Sequence, residues 1–293
     1  MVGENMNKKM EKQIDWVTTA KTLSEALPYL KRYESATIVI KLGGAAMANI
    51  ENLSSFARDV VLMKQCKVNP IIVHGGGPMI NAALDKWKID FDFVDGKRVT
   101  DAKAIKVVEM VLSGDVNRTI VSALNCQGGK GIGLSGKDAS LLICEKEKED
   151  LGFVGKPVKT NVEILSNLVK NDFIPVIAPI GTDESGQTFN INADTMAGTI
   201  SAAMKADRLL LLTDVNGVQD IEGELVLKAC PTEIRKLLAC EAISGGMIPK
   251  VKTALDAIEN GVRAVVILDG RVQNACLLEL FTEHGVGTLI RNP

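Results

Sequence analysis

Aromatic residues make up 4% of this 293-residue sequence, histidine occurs twice, and basic and acidic residues are nearly equal in number, at 34 and 36. Each shortage removes a class of function. Balanced charge lacks the basic field that nucleic-acid binding requires, so no nucleic-acid partner is expected. The cysteines (Cys66, Cys126, Cys144, Cys230, Cys240 and Cys276) form no CxxC pair and have only His74 and His284 to assist them. That set does not make a zinc centre, and no metal ligands are assigned. The cysteines read instead as reduced, mostly structural thiols of a cytosolic protein. The opening MVGENMNKKMEKQ is polar with no apolar h-region, and no apolar run reaches membrane-spanning length. A soluble, unexported chain with no membrane partner is therefore expected.

With aromatics scarce, the 46% hydrophobic content is a Val/Ile/Leu/Ala/Gly-rich mixture. Such a mixture suits parallel strands covered by helices on both faces. The length fits one large α/β domain or two closely joined lobes.

The chain is organised around Thr37-Ile38-Val39-Ile40-Lys41-Leu42-Gly43-Gly44. Four β-prone residues run into a lysine and two glycines, which predicts a buried strand ending in a loop where backbone approaches a ligand. An ammonium at that strand end either meets an anion or snorkels to the surface. Residues 14–33 precede it as a moderately amphipathic helix interrupted or kinked at Pro28. This helix either covers its own domain or reaches a neighbouring subunit.

A helix over 50–65 and the strand Pro70-Ile71-Ile72-Val73 follow, ending in His74-Gly75-Gly76-Gly77-Pro78 ahead of a helix over 79–87. Strand, glycine run and helix start together point N–H groups at an anion. His74-Gly75-Gly76-Gly77 also matches an esterase oxyanion element, but no G-x-S-x-G elbow accompanies it and that reading is rejected. Arg98, between a turn and a helix beginning near Ala102, is a candidate carboxylate fork or a solvated surface arginine. Gly131-x-Gly133-x-x-Gly136-Lys137 mimics nucleotide-binding patterns, yet no strand precedes it and Asp138 stands where a Ser/Thr should bind Mg²⁺. It reads as a loop leading into a strand over 140–144, with Lys137 a secondary candidate.

A charged hairpin-like stretch over 145–159 and a helix over 162–171 come next. The strand over 174–181 carries Pro175 and Pro179, which make it irregular or place it at an edge. Asn190, Asn192 and Asp194 share one side by alternation before a helix over 195–204, with Asp194 also a good N-cap. The apolar strand Arg208-Leu209-Leu210-Leu211-Leu212-Thr213 runs into Asp214 and Gly217, the kind of corner where an α/β sheet receives a nucleotide. Lys250 follows Gly245-Gly246 near the start of a helix ending at Glu259. There it opposes the macrodipole, which favours an anionic ligand over a stabilising role. Short strands over 265–268 and 287–290 end the chain. The alternation predicts a single mostly parallel sheet crossing both lobes, with a boundary near 179–186.

Five motifs in order, Lys41-Leu42-Gly43-Gly44, His74-Gly75-Gly76-Gly77-Pro78, Gly96-Lys97-Arg98-Val99-Thr100, Asn190-Ile191-Asn192-Ala193-Asp194 and Gly245-Gly246-Met247-Ile248-Pro249-Lys250, carry a resemblance. The chain resembles the N-acetylglutamate kinases of the amino-acid kinase family from about residue 15 onward. The resemblance implies an αβα sandwich around a mostly parallel central sheet. It implies an N-terminal lobe (1–180) holding N-acetyl-L-glutamate and a C-terminal lobe (181–293) holding ATP with Mg²⁺, in arginine biosynthesis. It makes Lys41 and Lys250 transition-state stabilisers and Asp194 the group that orients them. Gly44, Gly76 and Gly77 are expected to offer N–H groups to phosphate and substrate. Arg98 and Asn190 would hold the acceptor, with Thr213, Asp214 and Gly217 at the nucleotide.

The helix over 14–33 and the segment 277–290 are similar to those of the arginine-inhibited, hexameric branch, in which the helix interlaces dimers. The usual G-R-V-P-H-A element reads Gly270-Arg271-Val272-Gln273-Asn274-Ala275 here. A homo-oligomer, a trimer of dimers, is expected, with arginine a candidate effector of weakened or absent action. The alternatives are a related aminoadipate-type kinase, one methylene different in its substrate, and a catalytically inactive arginine or nucleotide sensor. The presence of both lysines and Asp194 argues against the sensor.

Overall fold

A computed structural model describes residues 16–293 except 48, 95 and 284. The chain opens with helix α1 (Trp16–Arg32), strand β1 (Thr37–Leu42), α2 (Ile50–Gln65), β2 (Asn69–His74) and α3 (Gly77–Lys86). A short hairpin, β3 (Phe93–Val94) and β4 (Lys97–Arg98), leads to α4 (Ala104–Glu109), a π-helical segment (Met110–Val116) and α5 (Asn117–Cys126). Next come β5 (Gly131–Ser135), β6 (Leu142–Lys146), β7 (Gly155–Thr160), α6 (Glu163–Lys170), β8 (Ile174–Ala178), β9 (Ile180–Thr182) and β10 (Thr188–Asn190). The last part comprises α7 (Ala193–Ala203), β11 (Arg208–Thr213), β12 (Lys228–Ala229), α8 (Pro231–Ala239), α9 (Met247–Glu259), β13 (Ala264–Asp269), α10 (Ala275–Phe281) and β14 (Thr288–Arg291).

Eight strands form the main sheet in the order β12-β14-β13-β11-β1-β2-β8-β5. Its pairs are parallel except β13 with β14. The uninterrupted apolar runs of β1, β2, β11 and β13 follow from burial on both faces. Val39, Ile71, Leu209 and Val265 belong to one core cluster, while Ile40, Ile72, Leu210 and Val266, one residue on, belong to the other. Each cluster draws on both halves of the chain. From the adjacent pair β1 and β11, succession runs outward in opposite directions, to β2 and to β13. Ligands in such sheets bind beyond the carboxyl ends at this reversal, which here are Lys41-Leu42-Gly43 and Thr213-Asp214.

Several expectations are corrected. Residues 131–135 are not a loop but edge strand β5 of the main sheet, paired with β8 from Gly131↔Ile174 to Ser135↔Ala178. Its glycines admit α5: a Cβ on Gly133 would lie 1.9 Å from Asn117 Oδ1. The strand after it is Leu142–Lys146, which pairs antiparallel with β7 as the charged stretch suggested. β8 is interior despite Pro175, because pairing with β2 begins only at Val176. The chain does break after Ala178, and β9 continues in a separate four-stranded sheet, β10-β9-β6-β7. Helix α1 runs through Pro28 with no buried side chain; Ile14 lies outside the described residues, as does His284. All six thiols are free. No described helix is long and apolar enough to cross a membrane.

Candidate active site

Lys41 is the penultimate residue of β1, held in register opposite Leu211 of β11 and Val73 of β2. It is 8% exposed, and it does not snorkel. Its Nζ lies 3.0 Å from Asp194 Oδ1. Lys250, in the first turn of α9, places its Nζ 3.2 Å from the other carboxylate oxygen. One buried carboxylate thus holds two ammonium groups brought from strands and helices far apart in the chain. Burial works against the Asp194 charge, but Lys41 and then Lys250 outweigh it and hold the carboxyl below its ordinary range.

Asp194 is not the N-cap that its position suggested. Asn192 caps α7, its Oδ1 accepting the N–H groups of Asp194 at 2.9 Å and Thr195 at 3.1 Å. The aspartate is thereby left for the lysines. Asn190, two residues earlier, turns elsewhere: its Nδ2 donates to Thr100 Oγ1 at 3.2 Å.

Two cavities open beside this group. The smaller, of about 150 Å³, is lined by Gly76, Gly77, Arg98 and Asn190 together with Asn192 and Ala193, the residues just before Asp194. Arg98 packs into the corner of two nearly perpendicular rings, its Cζ 4.6 Å from the centroids of both Phe91 and Phe93. Its Nη2 donates to Asn81, while its Nη1 is buried without a partner. Burial lowers its pKa, opposed by the Asp85 charge. A desolvated guanidinium with one open edge is built for a carboxylate.

The larger cavity, of about 720 Å³, is lined by Thr213, Asp214, Gly217, Met247, Lys250 and Arg271. Thr213 Oγ1 lies 3.1 Å from Asp214 Oδ1. Arg271 is locked by Asp269, with Nη2 2.7 Å from Oδ2, and donates to the Asp214 carbonyl at 2.8 Å. Its place here was missed in the sequence, where it figured only in the Gly270–Ala275 element; the signal available was an arginine two residues past the end of a buried strand.

Gly44 lines neither cavity and begins a short 3₁₀ turn after β1. Lys137 is engaged by Glu109 at 2.8 Å and Thr188 at 3.0 Å, apart from both cavities. Among the described residues, no group of three or more His, Cys, Asp or Glu is placed to hold a metal ion.

Two ammonium groups on one carboxylate thus lie beside a small recess lined by Arg98 and a larger polar cleft, at the reversal point of a mostly parallel sheet. The family model described as "Amino acid kinase family" matches residues 36–269, and the chain belongs to that family.

Within it, the chain is 62% identical to the acetylglutamate kinase of Ruegeria pomeroyi over 277 residues, covering 94% of this chain and 96% of that protein. It is 56% identical to the acetylglutamate kinase of Paracoccus denitrificans, covering 97% and 94%. Among solved structures, N-acetylglutamate synthase of Neisseria gonorrhoeae, complexed with coenzyme A and N-acetyl-glutamate, superposes with a TM-score of 0.84 at 24% identity. That match covers 94% of this chain and 63% of the synthase. Carbamate kinase of Giardia lamblia gives 0.65 at 16%, covering 88% and 99%. These two likenesses concern the fold.

Proposed function

We infer that the chain is an acetylglutamate kinase: it transfers the γ-phosphoryl group of ATP to the side-chain carboxylate of N-acetyl-L-glutamate, giving N-acetyl-L-glutamyl 5-phosphate for arginine biosynthesis. The observation that carries this reading is the Lys41–Asp194–Lys250 group set between the Arg98 recess and the larger cleft. The high identity to acetylglutamate kinases over nearly the whole chain supports the acceptor.

The acceptor carboxylate is ionised near neutral pH, so the reaction needs no general base. A carboxylate oxygen forms the new bond to phosphorus as the bond to the ADP oxygen breaks. The protein's task is to align these groups and neutralise the charge that spreads over the phosphoryl oxygens. Lys41 and Lys250 supply that neutralisation, and Asp194 keeps both ammonium groups aimed and apart. Gly44, Gly76 and Gly77 add backbone N–H donors. Arg98 takes the acceptor's other carboxylate at its open Nη1, and Asn190 takes its amide. Residues 1–180 bind the acceptor, and residues 181–293 bind the nucleotide through Thr213, Asp214 and Gly217.

The larger cleft has the size and the cationic groups to take ATP. Mg²⁺, which neutralises phosphate charge, would be held mainly by the nucleotide and water, as is common for this ion, since Asp194 is already committed to two lysines. A cytoplasmic trimer of dimers joined through α1 belongs to this reading, supported by the exposed Trp16 and Leu23. So does arginine as an effector, weakened by Gln273 and Asn274. An arginine titration and sedimentation test these two.

The function itself is tested by trapping the acyl phosphate with hydroxylamine in the presence of MgATP. Hydroxamate should form with N-acetyl-L-glutamate and not with glutamate, aspartate or N-acetyl-aminoadipate. Preference for another acid would move the substrate assignment.

A further inference from the structure

We propose that His74 is a positioning residue, which, held by Asn117, orients the Gly75–Gly76 peptide so that the Gly76 N–H faces the acceptor recess. The inference rests on the acetylglutamate kinase reading for its catalytic consequence, but its geometry stands by itself. His74 closes β2 and is fully buried. Its Nδ1 lies 2.8 Å from the Gly75 carbonyl oxygen, and its Nε2 lies 3.2 Å from Asn117 Nδ2.

The same Asn117 nitrogen lies 2.9 Å from the Val176 carbonyl oxygen. A carbonyl can only accept, so the Asn117 amide must present its NH₂ to that corner. The same nitrogen also lies 3.4 Å from the Leu134 carbonyl oxygen, and because an amide nitrogen can only donate, Nε2 at 3.2 Å is the accepting nitrogen of the ring. The proton of the neutral ring is therefore on Nδ1, where it donates to Gly75. Burial presses the His74 pKa down to about 4, against the raising effect of the Gly75 bond, so the ring stays neutral in this tautomer through the neutral range.

The carbonyl that His74 holds belongs to the peptide whose other side is the Gly76 N–H. In a planar trans peptide these two groups point opposite ways. Fixing one toward the core fixes the other away from it. The preceding peptide is pinned as well, by the Gly75 N–H donating to the Leu42 carbonyl at 2.9 Å. The loop passes close to its support as well: a Cβ on Gly76 would lie 2.6 Å from Leu112 Cδ2, in the π-helical segment that leads into Asn117. Departures from regular helix of this kind are frequent at functional sites.

The test uses the full chain with two substitutions. His74→Asn keeps an N–H donor near the position of Nδ1, whereas His74→Leu removes it at similar volume. In the hydroxamate assay, His74→Leu should lower kcat about 10- to 100-fold, the range for a misaimed donor. KM for both substrates should stay within about threefold. His74→Asn should recover most of the lost turnover. Equal impairment of the two variants, or an unchanged kcat in a folded His74→Leu, would overturn the proposal.

A second measurement needs neither activity nor a folded leucine variant. ¹⁵N NMR of the wild-type imidazole should show the Nδ1-protonated tautomer, with its proton protected from exchange. An Nε2-protonated ring would refute the assignment. If the tautomer is as stated and N-acetyl-L-glutamate is not phosphorylated, it is the substrate reading that fails.

Discussion

Asn192 accepts the backbone N–H of Asp194 at 2.9 Å, and this short bond decides what the aspartate can do. Had Asp194 capped its own helix, its carboxylate would have been turned to backbone donors and the lysines would have lacked a common partner. Asn192→Ala should therefore have two effects. Loss of the cap should cost about 1 kcal/mol of stability, visible as a lower melting temperature. It should also lower kcat several-fold as the α7 start frays beneath Asp194. A variant with wild-type turnover would separate the cap from the lysine pair.

Lys41→Ala and Lys250→Ala should each lower kcat by about 10²- to 10³-fold, the usual cost of one oriented charge donor. KM should change far less, because the charge they meet develops mainly during transfer. Removing Asp194 is expected to be worse for the fold than for binding. Asp194→Ala leaves two largely buried ammonium groups facing each other, and breaking such a buried group by deleting one partner costs about 3–5 kcal/mol. Chemical denaturation of the three variants checks the order.

Arg98→Lys keeps the charge but loses the planar fork and its packing against Phe91 and Phe93. The KM for the acceptor should rise about 10-fold or more, with kcat reduced less, and KM for ATP should hold. Phe91→Leu should show the same split in milder form, since removing one ring weakens a cation–π contact of about 1–2 kcal/mol. Initial rates at varied acceptor concentration distinguish these outcomes from a general loss of folding.

Two buried groups give stability opposite pH slopes in one window. The His74 pKa is depressed to about 4 in the folded state from 6.5, so its contribution is complete above 6.5 and is lost as pH falls toward 4. Asp59, whose pKa burial raises to about 6 from 3.8, contributes most below 3.8 and loses that contribution as pH rises through 6. Each shift corresponds to about 3 kcal/mol. Asp59→Asn should leave a protein whose melting temperature falls more steeply on acidification than wild type, while His74→Asn should fall less steeply. Parallel curves for all three proteins between about pH 4 and 6.5 would contradict both assignments.

The layout of the main sheet could be read ahead of the structure because its strands are apolar on both faces and separated by helices with clear periods. The glycine-rich strand β5 was hidden: glycines carry no β signal, and their reason for being there is the close approach of α5, a tertiary fact. Pro175 and Pro179 marked the strand over 174–181 as irregular or at an edge, but gave no sign that it would divide at Pro179 and cross into a second sheet there.

In the site, the lysines and Asp194 stood out because a charge at the end of an apolar strand or at a helix start demands an explanation. Asn81, Asn117 and Thr100 carried no such mark. Ordinary polar residues gain their meaning only from what lies across the fold. The role of Asn192 was obscured by Asp194, an equally good cap by type, and only the bond geometry separates them.

Strand β1 has one neighbour about thirty residues away and another that arrives much later, Ile38 pairing with Arg208. During synthesis at about 5–20 residues per second, that second edge stays open for on the order of ten seconds or more. It is an apolar, unpaired edge of the kind that attaches to other chains. The lysine at the heart of the site is thus lodged in the segment most exposed to misassembly before folding is complete, and truncated chains ending before β11 should aggregate rather than persist as half-enzymes.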